Sequence, residues 1–263
     1  KVVRVMKRDN LPDHKSVTTQ SSFNYENERI DLACAFRWTV RMGMHEAIAN
    51  HFSLAVNEEG SRFLLNPKQH FSRIKASDIL LLDTNSPPDL KHPDAPDLTA
   101  WGLHSSIHRH CPHARCVMHV HPIYSTVLCS LADSNLPPID QNTTLFYKRY
   151  VIDDGYVGLA FEKEGERCAS LLSDPKIKIM IMGNHGLLVI GSNVADTFNR
   201  LYYFERAAET YIKALWTSQP LRVLKNEIAE KTARELEKYP DSSQIYFAEL
   251  KAILDEEEPS YRL

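Results

Sequence analysis

Residues 115–122 read Arg115-Cys116-Val117-Met118-His119-Val120-His121-Pro122, an apolar run that ends in a His-x-His pair. Read as a strand, it points side chains two residues apart to the same face, so His119 and His121 can both reach one metal ion. A third ligand is offered far downstream, where the apolar strand Ile177-Lys178-Ile179-Met180-Ile181-Met182 runs into Gly183-Asn184-His185-Gly186. Backbone freedom between glycines lets the His185 imidazole be aimed into a cleft. Three neutral imidazoles around a divalent ion, with positions left open, describe a catalytic site rather than a closed structural one.

The rest of the chain sets the boundaries for this reading. With 263 residues, 43% hydrophobic and 25% charged, and a formal charge of -3, the chain suits one globular domain. There is no basic excess to draw nucleic acid. No apolar run approaches the roughly 20 residues that a membrane span needs, and Lys1-Val2-Val3-Arg4 lacks a leader's apolar segment. The expected location is therefore the cytoplasm, without a membrane or nucleic-acid partner. Five cysteines (Cys34, Cys111, Cys116, Cys129 and Cys168) without a CxxC pair fit reduced thiols.

Strand and helix signals alternate along the chain. Residues 1–24 form a polar extension, 25–220 the main domain and 221–263 a helical tail packed on it. Helical spacing predicts helices over 25–42, 99–110, 124–131 and 162–173, with the longest beginning at a cap on Ser192 or Asn193. Strands are expected over 52–56, 62–66, 79–83, 146–151 and 187–190 besides the two that carry histidines. The Pro- and Asp-rich stretch 84–97 reads as a surface loop, and Asp255-Glu256-Glu257-Glu258 as a solvated helix end. His108, His110 and His113 surround Cys111-Pro112, where imidazolium would complement a helix C-terminus.

Together, the His-x-His strand, the Asn-His-Gly turn and the helix Tyr203-Phe204-Glu205-Arg206-Ala207-Ala208-Glu209 resemble the class II aldolase/adducin family. Asn50-His51-Phe52-Ser53 and Asn66-Pro67 are similar to its N-terminal loops, and the segment from Leu65 to Ser77 looks closer to adducin heads than to sugar-phosphate aldolases. The resemblance implies a three-layer α/β/α fold with a central mixed, mostly antiparallel sheet. It further implies a metal held by His119, His121 and His185, with one divalent ion per chain, and a closed homo-oligomer, in the family commonly a tetramer. Zinc is the first expectation for the ion, with iron or manganese as alternatives.

Departures from the family's aldolases narrow the chemistry. Where they carry a Ser-Ser-Glu segment for phosphate binding and proton transfer, this chain has Leu98-Thr99-Ala100, and a family tyrosine is best matched by Gln141. An acid or base must then come from elsewhere, and His104, one helical turn past Ala100, and Asp140 are the candidates. Asn50, His51, Lys68 and His70 fall where the phosphate cradle would be, which makes them candidate substrate contacts. Glu205 lies within the apolar stripe of the long helix, where a carboxylate needs a partner such as the second nitrogen of a ligating histidine. The leading expectation is a metal-dependent lyase acting on a small non-phosphorylated oxo- or hydroxy-acid through a metal-stabilised enolate. The rivals are a non-haem iron oxygenase performing oxidative decarboxylation and a non-catalytic adducin-like assembly module.

Overall fold

The histidine-bearing strand lies at the centre of the sheet. The computed structural model describes residues 24–159 and 163–263, so all but Asn24 of the expected N-terminal extension lies outside the described residues. Its strands are β1 (His51–Ala55), β2 (Arg62–Leu65), β3 (Leu80–Asp83), β4 (Cys116–Val120), β5 (Tyr150–Asp153), β6 (Ile179–Met182) and β7 (Gly186–Gly191). They form one 7-stranded sheet in the order β3-β2-β1-β4-β7-β6-β5. Every pairing is antiparallel except β5 with β6, so the sheet is mixed and mostly antiparallel.

Both sides of the sheet are covered, which is why β4 is apolar at nearly every position. Its even residues Cys116, Met118 and Val120 join one core with Phe36 of helix α1 (Glu26–Arg41) and the next two helices on that face. Its odd residue Val117 packs with Leu103 and Ile107 of α2 (Leu98–His110) in a second core on the opposite face. Alternation therefore sends His119 to the α2 side. The remaining helices are α3 (Ile123–Cys129), α4 (Gln141–Thr144), α5 (Glu164–Leu171), α6 (Val194–Trp216), α7 (Asn226–Glu237) and α8 (Ser242–Glu257). Helix α5 packs on α2, whereas α3, α6 and α8 lie on the α1 side, which yields the expected three layers. Asn193, rather than Ser192, caps α6 by accepting the Asp196 amide at 2.9 Å.

Two local expectations are corrected. The predicted strand 146–151 begins only at Tyr150, because the capping pair Asp140 and Thr143 starts a helical turn at Gln141 and Lys148 takes a left-handed φ of 57°. Phe146 instead enters the core against Phe204, with ring centroids 5.0 Å apart. The acidic end of α8 is also not simply solvated. Glu258 pairs with Arg37 at 2.6 Å and Glu257 with Arg41 at 2.6 Å, tying it back to α1. Phe247, Leu250 and Leu254 of α8 share the core of that face.

Candidate metal centre and its flanking histidines

His119 leaves β4 on the α2 side, His121 follows one pleat later, and His185 comes from the turn joining β6 to β7. One ligand-capable atom of each lies within 4.8 Å of the others. Two backbone features make this convergence possible. Asn184 takes a left-handed φ of 57°, which bends the chain just before His185. Gly186 leaves room for the His121 ring, since a β-carbon there would sit 2.4 Å from its Cδ2.

Hydrogen bonds on the far side of the His119 and His121 rings assign their tautomers. Nδ1–H of His119 donates to the Leu187 carbonyl at 3.1 Å, and Nδ1–H of His121 donates to the Glu46 carboxylate. In the neutral rings both Nε2 atoms then carry bare lone pairs, and they face each other at 2.9 Å. Two lone pairs at that distance repel unless a cation lies between them, so the donor set fits a divalent ion. Burial, reinforced by the neighbouring imidazoles, pushes His119 well below an ordinary histidine, and burial lowers His185 as well. Both stay neutral, as ligation requires.

The three imidazoles open into a cleft of about 350 Å³ that is also lined by His51, Asp97, Thr99, Tyr156 and Glu164. Asp97 caps α2 by accepting from the Thr99 amide. Burial pushes its carboxyl up, but the Thr99 hydroxyl and amide more than offset this and hold it below its usual range. His51 stands opposite His119 across the β1–β4 pair, with ring centroids 4.8 Å apart. Burial pushes it down to about 3. His104 is completely buried, and it bonds His51 Nδ1 at 2.7 Å and Ser53 Oγ.

The remaining candidates lie elsewhere. Lys68 and His70 are exposed and do not line the cleft, and the His70 ring rests on His45 with centroids 4.2 Å apart. Asn50 is buried and uses its side-chain oxygen to hold the Glu46 amide at 2.8 Å, so it fixes the loop that delivers Glu46. Asp140 is spent capping α4 and Gln141 is exposed beside it; neither lines the cleft. Glu205 does not reach a ligating histidine. Its carboxylate accepts from the Tyr124 and Ser125 amides, both at 2.9 Å, and from the Ser125 hydroxyl, and so caps α3 just after the His-x-His strand. His108 and His113 bond internal carbonyls, those of Ala114 and Leu172, rather than sitting in solvent as a charged helix end. Sequence reading missed Glu46, Ser53, Asp97 and Glu164. Asp97 left a signal as an N-cap residue followed by the helix of Ala100, and Ser53 left one only as part of the stretch 50–53.

Comparisons with known proteins bear on the family and the fold. The sequence profile described as Class II Aldolase and Adducin N-terminal domain matches residues 30–212. A 4-hydroxy-3-prenylphenylpyruvate oxygenase/4-hydroxy-3-prenylbenzoate synthase of Streptomyces roseochromogenus subsp. oscitans is 29% identical over 165 residues, or 62% of this chain and 58% of that enzyme. The chain thus spans about three-fifths of that relative's length. A putative aldolase class 2 protein of Pseudomonas aeruginosa is 28% identical over 242 residues, covering 89% of this chain and 91% of that one. Among solved structures, an aldolase II superfamily protein from Pseudomonas syringae superposes with a TM-score of 0.82 at 25% identity, covering 93% and 98% of the two chains.

Proposed function

The chain belongs to the class II aldolase and adducin N-terminal domain family, and from that premise we propose that it is a metal-dependent carbon–carbon lyase. Its substrate in this reading is a small, non-phosphorylated oxo- or hydroxy-acid that is cleaved or decarboxylated. The observation that carries the reading is the convergence of His119, His121 and His185 on an open cleft. A divalent ion held by these three, zinc in the first instance, would supply Lewis-acid stabilisation of the enolate charge that develops as the bond breaks.

The chain's own residues do the rest. Glu46 and the Leu187 carbonyl hold the His121 and His119 rings with Nε2 toward the cleft. Thr99 and Tyr156 bring hydroxyl groups to the cleft wall, and Asp97 and Glu164 bring carboxylates that can accept hydrogen bonds from substrate. Neither lysine nor arginine lines the cleft among the described residues, which argues against a dianionic phosphate substrate. The same reading takes the chain as one subunit of a closed homo-oligomer, supported by the exposed apolar stripe Ile123, Val127 and Leu131 beside the site.

A second reading, an iron oxygenase that decarboxylates oxidatively, is supported by the similarity to the Streptomyces oxygenase. Metal-stripped protein reloaded separately with zinc, manganese or ferrous iron separates the two. Each form is given 2-oxo, 3-oxo and hydroxy acids, arylpyruvates included, with and without dioxygen, while carbon dioxide and carbonyl products are followed. Anaerobic turnover with zinc or manganese is the expected result. Turnover confined to iron with dioxygen selects the second reading, and no turnover in any arm overturns both in favour of an assembly role.

A further inference from the structure

Behind the metal centre, a line of buried polar groups runs from the Ala114 carbonyl to the cleft, and its hydrogen-bond polarity is fully determined. Nδ1 of His108 lies 3.1 Å from the Ala114 carbonyl oxygen. A carbonyl only accepts, so Nδ1 carries the hydrogen; burial keeps this ring neutral, and its Nε2 is bare. Ser53 Oγ sits 2.7 Å from that Nε2, and the single hydroxyl proton must point there. Having donated, Oγ can only accept from its other neighbour, Nδ1 of His104. His104 is thereby also an Nδ1–H ring with a bare Nε2, which accepts from Nδ1–H of His51 at 2.7 Å. The last member is left with its Nε2 lone pair unused among the described residues.

That last ring lines the cleft, directly opposite His119 in the strand pairing. Reversing the direction would set a lone pair against the Ala114 carbonyl in the interior or require an extra proton on a fully buried ring.

We propose that the series Ala114 carbonyl, His108, Ser53, His104 fixes His51 as an obligate hydrogen-bond acceptor beside the three-imidazole centre, so that the site prefers a ligand carrying a hydroxyl donor next to its metal-binding carboxylate. His104, Ser53 and His108 are then positioning residues. His104 has no path to substrate except through His51, which replaces its expected role as an acid or base. The hydroxyl preference rests on the lyase reading and narrows its substrates to hydroxy-acids; the assigned tautomers do not depend on that reading.

The test uses the whole chain, stripped of metal, and long-range 15N–1H spectra of its imidazoles, which distinguish the two neutral tautomers. His51, His104 and His108 are all expected as Nδ1–H. An Nε2–H form at His51 in the folded wild-type protein would overturn the proposal. In S53A the link is cut, and His104 and His51 are expected as mixtures, while S53T restores the single form; unchanged His51 signals in S53A would also overturn it. A final arm loads wild-type protein with zinc and compares lactate with 2-methoxypropionate, which keeps the carboxylate and loses the donor. Lactate should bind about tenfold more tightly, the gain of one net hydrogen bond, and the margin should vanish in S53A. Equal affinities in the wild type would remove the hydroxyl preference, whether or not the lyase assay succeeds.

Discussion

Glu46 receives the Nδ1–H of His121 across 75 residues of sequence, so the carboxylate that orients this ligand comes from the loop before β1 and not from the long helix α6. Asn50 holds the same loop through the Glu46 amide. The far-side carboxylate fixes the tautomer and raises the basicity of the ligating nitrogen.

E46A should therefore lower metal affinity by about 10- to 100-fold with little change in stability, because Glu46 is half exposed and makes no core contact. Competition against a chromophoric chelator reads this directly. An affinity equal to wild type would show that the Glu46 contact does not orient the ligand.

Glu205 has the opposite profile. Its carboxylate satisfies the first amides of α3 and the Ser125 hydroxyl in a largely buried setting. E205A leaves those donors without a partner and should cost on the order of 2 kcal/mol in urea unfolding. Metal stoichiometry should stay intact, since the residue touches none of the three imidazoles. Loss of metal without loss of stability would return Glu205 to the role that sequence suggested.

These two carboxylates show where sequence reading reached and where it stopped. The triad was legible because its parts are local: a two-residue strand spacing puts His119 and His121 on one face and a glycine-flanked turn presents His185, which the pairing of β7 with β4 then brings to them. Helix and strand positions were legible wherever apolar periodicity was strong, as in α6 and β4. Phe146 misled because an aromatic flanked by β-formers reads as a strand, whereas the Asp140 cap and the left-handed Lys148 decide otherwise. Glu205 showed that a carboxylate lay among apolar neighbours, but periodicity does not say which amide meets it. Ser53 belonged to a stretch that resembled the family, but its role carried no signal, since it arises only when β1 brings the hydroxyl under α2.

The buried imidazoles make stability depend on pH in one direction. Burial holds His51 and His108 at about 3 and His104 well below the ordinary 6.5. Between those values the unfolded chain binds protons that the folded chain does not, so the stabilising difference is full above 6.5 and is lost as pH falls toward 3. Each group contributes a slope of about 1.4 kcal/mol per pH unit in that window. Urea midpoints of metal-stripped protein should be level above neutrality and fall steeply below about pH 6.5. A midpoint that held level down to about pH 5 would contradict the buried neutral state.

Ala100, which the sequence resemblance matches to the glutamate of the family's aldolases, packs with Phe63, Leu65 and Trp101. A100E should not rebuild a proton-transfer group; it should bury a carboxylate and cost on the order of 3 kcal/mol. Neither wild type nor A100E should cleave fuculose 1-phosphate or ribulose 5-phosphate with any divalent metal. Turnover by A100E would mean that this side chain reaches the cleft.

If His119, His121 and His185 hold one divalent ion per chain, metal analysis of wild type against H121A will show it. Dialysis against a slight excess of zinc, followed by elemental analysis, should give about one ion per chain in the wild type. H121A should remain folded by circular dichroism and lose stoichiometric metal. Full occupancy in folded H121A, or no bound metal in the wild type, would contradict the assignment.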